Sequence, residues 1–125
     1  MNKVKSVEEL EVFIRSHQIV LEIYKMTKTL PRDEQFGLIQ QMRRAAVSIC
    51  ANLYEGAHRL SSKEYRTFVG YSRGSTGEMI YYMLLARDLG YISNDQYCNI
   101  TERLNIIGKM LTRLAESLSK KVNHR

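Results

Sequence analysis

The stretch YCNITERLNIIGKMLTRLAESL, residues 97–118, decides the fold of this chain. Its apolar side chains recur at alternating steps of three and four residues and form one seam: Tyr97, Ile100, Leu104, Ile107, Leu111, Leu114 and Leu118. Such steps place side chains on one face of an α-helix, whereas a β-strand alternates with a period of two. The stretch therefore predicts a long amphipathic helix that packs its seam against other helices.

Short motifs mark where this helix and the others begin and end. Residues 93–96, SNDQ, fit a capping box, in which the serine hydroxyl accepts from a backbone N–H and the last side chain reaches back. Residues 61–64 and 6–9 repeat this pattern. Pro31 ends the first helix because the residue before proline resists helical angles, and Gly90 suits the end of the third. The predicted helices span residues 7–30, 32–57, 62–89 and 94–119, with a frayed tail at 120–125.

Each of the three upstream helices carries an apolar stripe of its own. In the first helix the stripe comprises Leu10, Phe13, Ile14, His17, Val20, Leu21 and Tyr24. The second has Ile39, Met42, Ala46, Ile49 and Leu53, and the third has Tyr65, Phe68, Val69, Ser72, Thr76, Met79, Met83 and Ala86. A chain of 125 residues has room for one hydrophobic core, and its connections are short. We therefore predict one all-α domain, an antiparallel up-down-up-down four-helix bundle.

The charge and the cysteines narrow the class of partner and the compartment. The chain has 19 Lys and Arg residues against 13 Asp and Glu residues, which gives a net charge of +6 spread along its length. A basic surface suits a polyanion, although basicity alone is a weak indicator. Cys50 and Cys98 are isolated thiols, and no apolar leader or membrane-length segment is present. We expect a cytoplasmic protein without a cofactor.

Some apolar residues exceed what one stripe per helix requires. The surplus lies beside the second stripe, at Phe36, Val47, Cys50 and Tyr54, and on the third helix, at Tyr81, Leu84 and Leu85. Gly70, Gly74 and Gly77 fall opposite the third core stripe, where small residues let a partner helix or a phosphate backbone approach closely. These residues predict an oligomer interface. The alternatives are that loops cover the apolar groups and that the glycines are merely tolerated.

Basic residues of the second and third helices could form a track for phosphates. The candidates are Arg43, Arg44, Arg59, Lys63, Arg66 and Arg73. Arginine offers bidentate hydrogen bonds to phosphate, and charge neutralisation releases counterions. Two alternatives remain open: a solvated face whose cations pair with Glu55 or Glu64, and a structural role for Arg43 in pairing with Glu55. Tyrosines such as Tyr54 could stack on bases, although helical spacing favours packing.

No motif indicates catalysis or a metal. Residues 55–58 have a Glu-x-x-His spacing, but a di-iron bundle needs a second such pair and two further inward glutamates, and no second pair exists. The chain has no GxSxG elbow, phosphate loop or dinucleotide-binding glycine pattern. We expect a protein that is not an enzyme and has no metal site.

Residues 37–49, GLIQQMRRAAVSI, followed by residues 52–56, NLYEG, resemble the signature of the 23S rRNA intervening sequence protein family. Arg43 and Arg44 match the paired arginines of that family. Cys50 stands where the family commonly has proline, and Tyr54 stands where a small residue is usual. Further matches cover nearly the whole chain in order: residues 10–12, 21–25, 62–65 and 86–93.

The resemblance implies a four-helix bundle that assembles as a ring-like homopentamer with a basic surface. Members encoded in rRNA insertions are thought to be associated with RNA. The family is grouped with accessory variability proteins of diversity-generating retroelements, which bind nucleic acid and a reverse transcriptase. The leading hypothesis is therefore an oligomeric RNA-binding bundle, and the alternative is an accessory adaptor for a reverse transcriptase.

Overall fold

The structure, a computed structural model, describes residues 6–123 and contains no β-strand within that range. Its four α-helices are α1 (Glu11–Thr27), α2 (Leu38–Ala57), α3 (Ser62–Asp88) and α4 (Asn94–Asn123), with 3-10 turns at Val7–Glu9 and Arg32–Glu34. Helix α3 packs extensively on α2 and α4, and α1 packs mainly on α2. The backbones of α1 and α3 do not approach each other closely, as expected of helices that lie diagonally across a bundle. The prediction of an all-α four-helix bundle is confirmed.

Contacts between helix ends show that neighbouring helices are antiparallel. Phe13, near the start of α1, meets the ring of Tyr54, near the end of α2, with 5.2 Å between ring centroids. Arg66, near the start of α3, donates a hydrogen bond to Ser119 of α4, one turn before that helix ends. Because directions alternate along the chain, α1 and α3 run the same way, and α2 and α4 run the opposite way.

Of the three predicted capping boxes, the one at residues 93–96 forms fully, and the one at residues 61–64 forms its serine half. The Ser93 hydroxyl accepts a hydrogen bond from the Gln96 N–H at 3.1 Å, and the Gln96 side chain accepts one from the Ser93 N–H at 2.8 Å. The Ser61 hydroxyl accepts from the Glu64 N–H at 3.1 Å. At the end of α3, Gly90 has a φ of +78°, a left-handed conformation that glycine adopts at low cost.

The first two helices are shorter than predicted. Ser6 makes no side-chain cap hydrogen bond, and Leu10 is extended, so that α1 begins at Glu11 instead of residue 7 and ends at Thr27 instead of residue 30. A physical reason is that Val7 is buried in the core and holds its turn apart from α1. Helix α2 begins at Leu38 instead of residue 32, because Arg32 to Glu34 form a separate 3-10 turn.

The last helix is longer than predicted. Helix α4 continues to Asn123, although the sequence predicted fraying after residue 119. Lys120 and Lys121 lie in its last turn, where positive charge interacts favourably with the helix dipole. Residues 124–125 of the predicted tail lie outside the described residues.

The core follows the predicted stripes of α3 and α4 closely. In α4 the buried seam residues are Ile100, Leu104, Ile107, Leu111 and Leu118, and in α3 the buried residues are Val69, Ser72, Thr76, Met79, Met83 and Ala86. The Ser72 hydroxyl donates to the Ile49 carbonyl oxygen at 2.8 Å, which satisfies a buried polar group between α2 and α3. Among the described helices, none is long and apolar enough to span a membrane.

The predicted core stripe of α1 is wrong in part: Leu10, Phe13 and Val20 pack against the core, but the other apolar members do not. The residues that α1 buries are Val12, Ser16, Ile19, Ile23 and Thr27. Ile14, Leu21 and Tyr24, which the sequence placed in the core, are 40%, 57% and 40% exposed. The buried face was not recognised because it contains two polar residues, Ser16 and Thr27. Their hydroxyls donate to carbonyl oxygens one turn earlier, both at 2.7 Å, so they are buried at little cost.

A glycine sets the closest approach of α2 to α3. A Cβ atom added at Gly56 would lie 2.8 Å from the Phe68 Cβ atom and 3.3 Å from the Tyr65 carbonyl oxygen. Atoms at such distances overlap, so a larger residue would push the two helices apart. Gly56 therefore fixes the geometry of the turn that leads into the basic residues of α3.

Candidate nucleic-acid interface

Arg43, the first of the six predicted phosphate ligands, is held against α1. Its Nε atom donates to the Thr27 hydroxyl at 2.8 Å, a terminal nitrogen donates to the Tyr24 carbonyl oxygen at 3.3 Å, and its guanidinium lies 4.6 Å from the Tyr24 ring centroid. The arginine thus closes the last turn of α1. Arg43 therefore has the structural role that the sequence left open, but its partners are Thr27 and Tyr24 and not Glu55. Glu55 accepts a hydrogen bond from Arg59 at 2.9 Å instead.

Two further predicted ligands also have partners within the chain. Arg59, in the turn after α2, pairs with Glu55 of that helix, and its guanidinium lies 4.6 Å from the centroid of the Phe68 ring. Arg66 donates to Ser119 and so joins α3 to α4. Both groups are exposed, so these contacts are weak and still leave the charge facing solvent.

The remaining three predicted ligands are exposed, and their side chains form no hydrogen bond or ion pair with residues 6–123: Arg44, Lys63 and Arg73. Arg44 lies near enough to Tyr82 to act on its titration. Burial and the Glu78 carboxylate raise the pKa of Tyr82, and the positive charge of Arg44 partly opposes that rise. Arg73 lies on the other side of α3, facing α4. Arg43 therefore lies on the α1/α2 side of the bundle, away from Arg66 and Arg73, which lie beside α4.

The structure brings Arg73 together with residues that the sequence did not single out. A shallow groove of about 330 Å³ lies between α3 and α4, and we call it the basic groove; it is lined by Arg73, Asn105, Gly108, Lys109 and Thr112. Its lining contains two cations, an amide and a hydroxyl, and no carboxylate. Such donors suit phosphate oxygens. Lys109 was missed because sequence reasoning followed only the core seam of α4.

The predicted interface residues of α2 have different surroundings. Phe36 is 85% exposed and Val47 is 39% exposed, as a contact surface requires. Cys50 is buried, and burial raises the pKa of its thiol to about 11, so its placement in an interface is wrong. The reason is that Cys50 lies nearer the core stripe of α2 than the sequence pattern suggested. Tyr54 is half-buried and contacts Phe13.

The predicted interface residues of α3 form an open face. A Cβ atom added at Gly70, Gly74 or Gly77 would have no heavy atom within 4 Å, apart from its immediate helix neighbours. Tyr81 continues this face and is 57% exposed, whereas Leu84 and Leu85 are half-buried. We call Gly70, Gly74, Gly77 and Tyr81 the outer face of α3. A second backbone could approach this face closely.

The Glu-x-x-His spacing has a structural explanation. Glu55 pairs with Arg59, and a ring nitrogen of His58 lies 2.8 Å from the Tyr54 carbonyl oxygen. In the part of the chain that the structure describes, no three His, Cys, Asp or Glu side chains come close enough together to hold a metal ion. The spacing therefore reflects local helix contacts.

Fold and surface together define a class: a four-helix bundle with a basic groove, an open glycine face and exposed apolar residues on its first two helices. The chain belongs to the 23S rRNA-intervening sequence protein family, whose model matches residues 8–113. This result confirms the resemblance that the sequence motifs indicated.

A solved structure supports the same fold. It is the crystal structure of a protein of unknown function from the S23 ribosomal protein family of Bacteroides thetaiotaomicron. The two chains are 24% identical, the match covers 83% of this chain and 97% of that chain, and the TM-score is 0.77. At this identity the likeness shows the fold alone. No curated protein matches the chain.

Proposed function

We propose that this chain is a non-catalytic RNA-binding protein of the 23S rRNA intervening sequence type that acts in the cytoplasm as a homo-oligomer. The observation that carries the proposal is the basic groove, where Arg73 and Lys109 meet Asn105 and Thr112 without a carboxylate. Cations and neutral donors in a shallow groove contact a phosphate backbone without reading bases. Structured RNA is therefore the expected ligand, and the family name makes 23S rRNA the first RNA to test.

The homo-oligomer is supported by apolar surface that one bundle leaves uncovered. Leu21, Tyr24, Phe36 and Val47 are exposed on the α1/α2 side, although large apolar groups seldom cluster on the surface of a monomer. Sister subunits that cover this surface would also add their basic grooves to one particle and strengthen RNA binding through multivalency. The family resemblance implies five subunits.

The basic groove is tested by charge reversal with a matched control. We expect Lys109→Glu and Arg73→Glu each to weaken binding of a structured rRNA fragment about tenfold at low salt, because each removes a phosphate contact. The control is Arg32→Glu, an exposed loop cation outside the groove that loses the same charge. Electrophoretic mobility shifts at several salt concentrations measure the affinities.

The salt dependence separates the proposal from non-specific effects. Wild-type affinity should fall steeply with salt, and each groove variant should reduce the slope of log affinity against log salt by about one. An equal loss in Arg32→Glu, binding that ignores salt, or no binding at low salt would contradict the proposal.

A further inference from the structure

Helix α1 has two apolar faces, of which the bundle covers one. The second face, which we call the outer stripe of α1, consists of four exposed residues: Ile14, His17, Leu21 and Tyr24. Its members recur at steps of four and three residues, the spacing of a seam between two packed helices. Ile14 and Leu21 are 40% and 57% exposed. A helix that is apolar on two faces is normally covered on both.

The outer face of α3 is complementary in shape to this stripe. Gly70, Gly74, Gly77 and Tyr81 follow the same steps of four and three residues on the side of α3 opposite its core stripe. The glycines leave open space where the outer stripe of α1 carries large side chains. Two outer stripes of α1 facing each other would not fit as well, because large side chains would meet large side chains.

Charge fixes the direction in which the two helices would pair. The segment formed by the first 3-10 turn and the start of α1 has a net negative charge, from Glu8, Glu9, Glu11 and Arg15, and the end of α1 has a net positive charge, from Glu22, Lys25 and Lys28. Helix α3 has the reverse order of net charge: its first half, with Lys63, Glu64, Arg66 and Arg73, is positive, and its second half, with Glu78, Arg87 and Asp88, is negative. A parallel pair therefore brings opposite charges together at both ends, whereas an antiparallel pair brings like charges together.

Within one chain the two surfaces cannot meet, because each lies on the side of its helix that faces away from the shared core. Helices α1 and α3 do run in the same direction, so two copies that point the same way present the two surfaces in the parallel orientation. Some of the charges already have contacts on their own helix, such as Glu11 with Arg15 and Asp88 with Arg87. These pairs are exposed and weak, and they can exchange for contacts between copies.

We propose that the occupant of the outer stripe of α1 is a second copy of this chain, which receives it on the outer face of its α3 in parallel orientation. The proposal rests on the self-association in the proposed function and specifies its contact. Each copy uses two different surfaces, so the contact is head-to-tail and all copies point the same way. Arg73 lines the same depression as the three glycines and so borders this contact, whereas Lys109 lies outside that depression, on α4.

Two single variants test the pairing. Leu21→Glu places a charge in the outer stripe of α1, and Gly74→Glu fills the outer face of α3; both positions are exposed, so the fold should be retained. Each variant alone should have the mass of one chain by light scattering. The control is Ile106→Glu on α4, which is 43% exposed and should keep the wild-type mass. Circular dichroism confirms that each variant is helical.

Mixing the two variants gives the decisive result. A Gly74→Glu copy still has its α1 stripe, and a Leu21→Glu copy still has its α3 face, so the mixture should form a one-to-one dimer and nothing larger. If wild type is oligomeric and the mixture stays monomeric, the two surfaces are not partners. Wild-type mass in either single variant also overturns the pairing. A monomeric wild type instead refutes the self-association on which the proposal rests.

Disulfide trapping tests the orientation. In a background with Cys50→Ala and Cys98→Ala, Lys28→Cys combined with Asp88→Cys should cross-link copies under mild oxidation. Lys28→Cys combined with Lys63→Cys should not, because those positions lie at opposite ends of a parallel pair. Non-reducing gels report the cross-links, and the reverse result overturns the parallel arrangement.

Discussion

Helices α1 and α4 both have apolar residues at steps of three and four in the sequence, but the bundle buries the stripe of α4 and leaves much of the stripe of α1 exposed. In α4 the stripe is the core, and Leu104 and Leu111 are 0% exposed. In α1 much of the stripe faces outward, and Leu21 is 57% exposed. Periodicity thus identifies a face that some neighbour should cover, and it does not say whether that neighbour belongs to the same chain.

The largest expected difference in unfolding free energy is between leucine-to-alanine substitutions in the two stripes. Leu104→Ala should lower the free energy of unfolding by about 2–5 kcal/mol, because it leaves a cavity in the core. Leu21→Ala should change the stability of the single subunit by less than about 0.5 kcal/mol, because its side chain is exposed there. Urea unfolding at several protein concentrations separates subunit dissociation from unfolding. Equal losses for the two variants would mean that the outer stripe of α1 is buried within one subunit.

A smaller effect compares the glycine that the bundle covers with one that it leaves open. Gly56→Ala should cost about 1–3 kcal/mol, because the new methyl group would overlap Phe68 of α3. Gly74→Ala has open space and should gain up to about 1 kcal/mol from helix propensity. Thermal unfolding followed by circular dichroism measures both. A stabilised Gly56→Ala variant would disprove the close approach of α2 to α3.

The smallest expected effect comes from the two serines that the sequence predicts to cap the first and the last helix, Ser6 and Ser93. Ser93→Ala should cost about 1 kcal/mol, because it removes the hydroxyl that accepts from the Gln96 N–H. Ser6→Ala should change stability by less than about 0.5 kcal/mol, because Ser6 makes no such bond. Urea midpoints of the two variants give the difference. A larger loss at Ser6 would show that α1 begins with the capping box that the sequence predicted.

Most of the fold was readable from the sequence because α3 and α4 each have one apolar stripe and clear end signals. The errors in α1 have a physical origin: Ser16 and Thr27 look polar in the sequence but satisfy their hydroxyls on their own helix and enter the core. The late start of α2 was not readable either. Its cause is the separate 3-10 turn formed by residues 32–34.

The candidate site was readable only in part. Sequence reasoning found the arginines, but whether a cation is free depends on tertiary contacts, such as those that hold Arg43 on Thr27 and Tyr24. Lys109 is a candidate phosphate ligand because the fold places α4 beside Arg73, which the sequence pattern of α4 does not indicate. Cys50 was misassigned because its position on α2, between core and flank, leaves burial to be decided by the neighbouring helices.

The central claim is that the apolar surface left on α1 and α2 is covered by sister copies of the chain. Multi-angle light scattering of the wild-type protein across a hundredfold range of concentration tests it most directly. The account predicts one finite mass of at least two chains, a whole multiple of 14.6 kDa greater than one. A mass of 14.6 kDa at every concentration would contradict it.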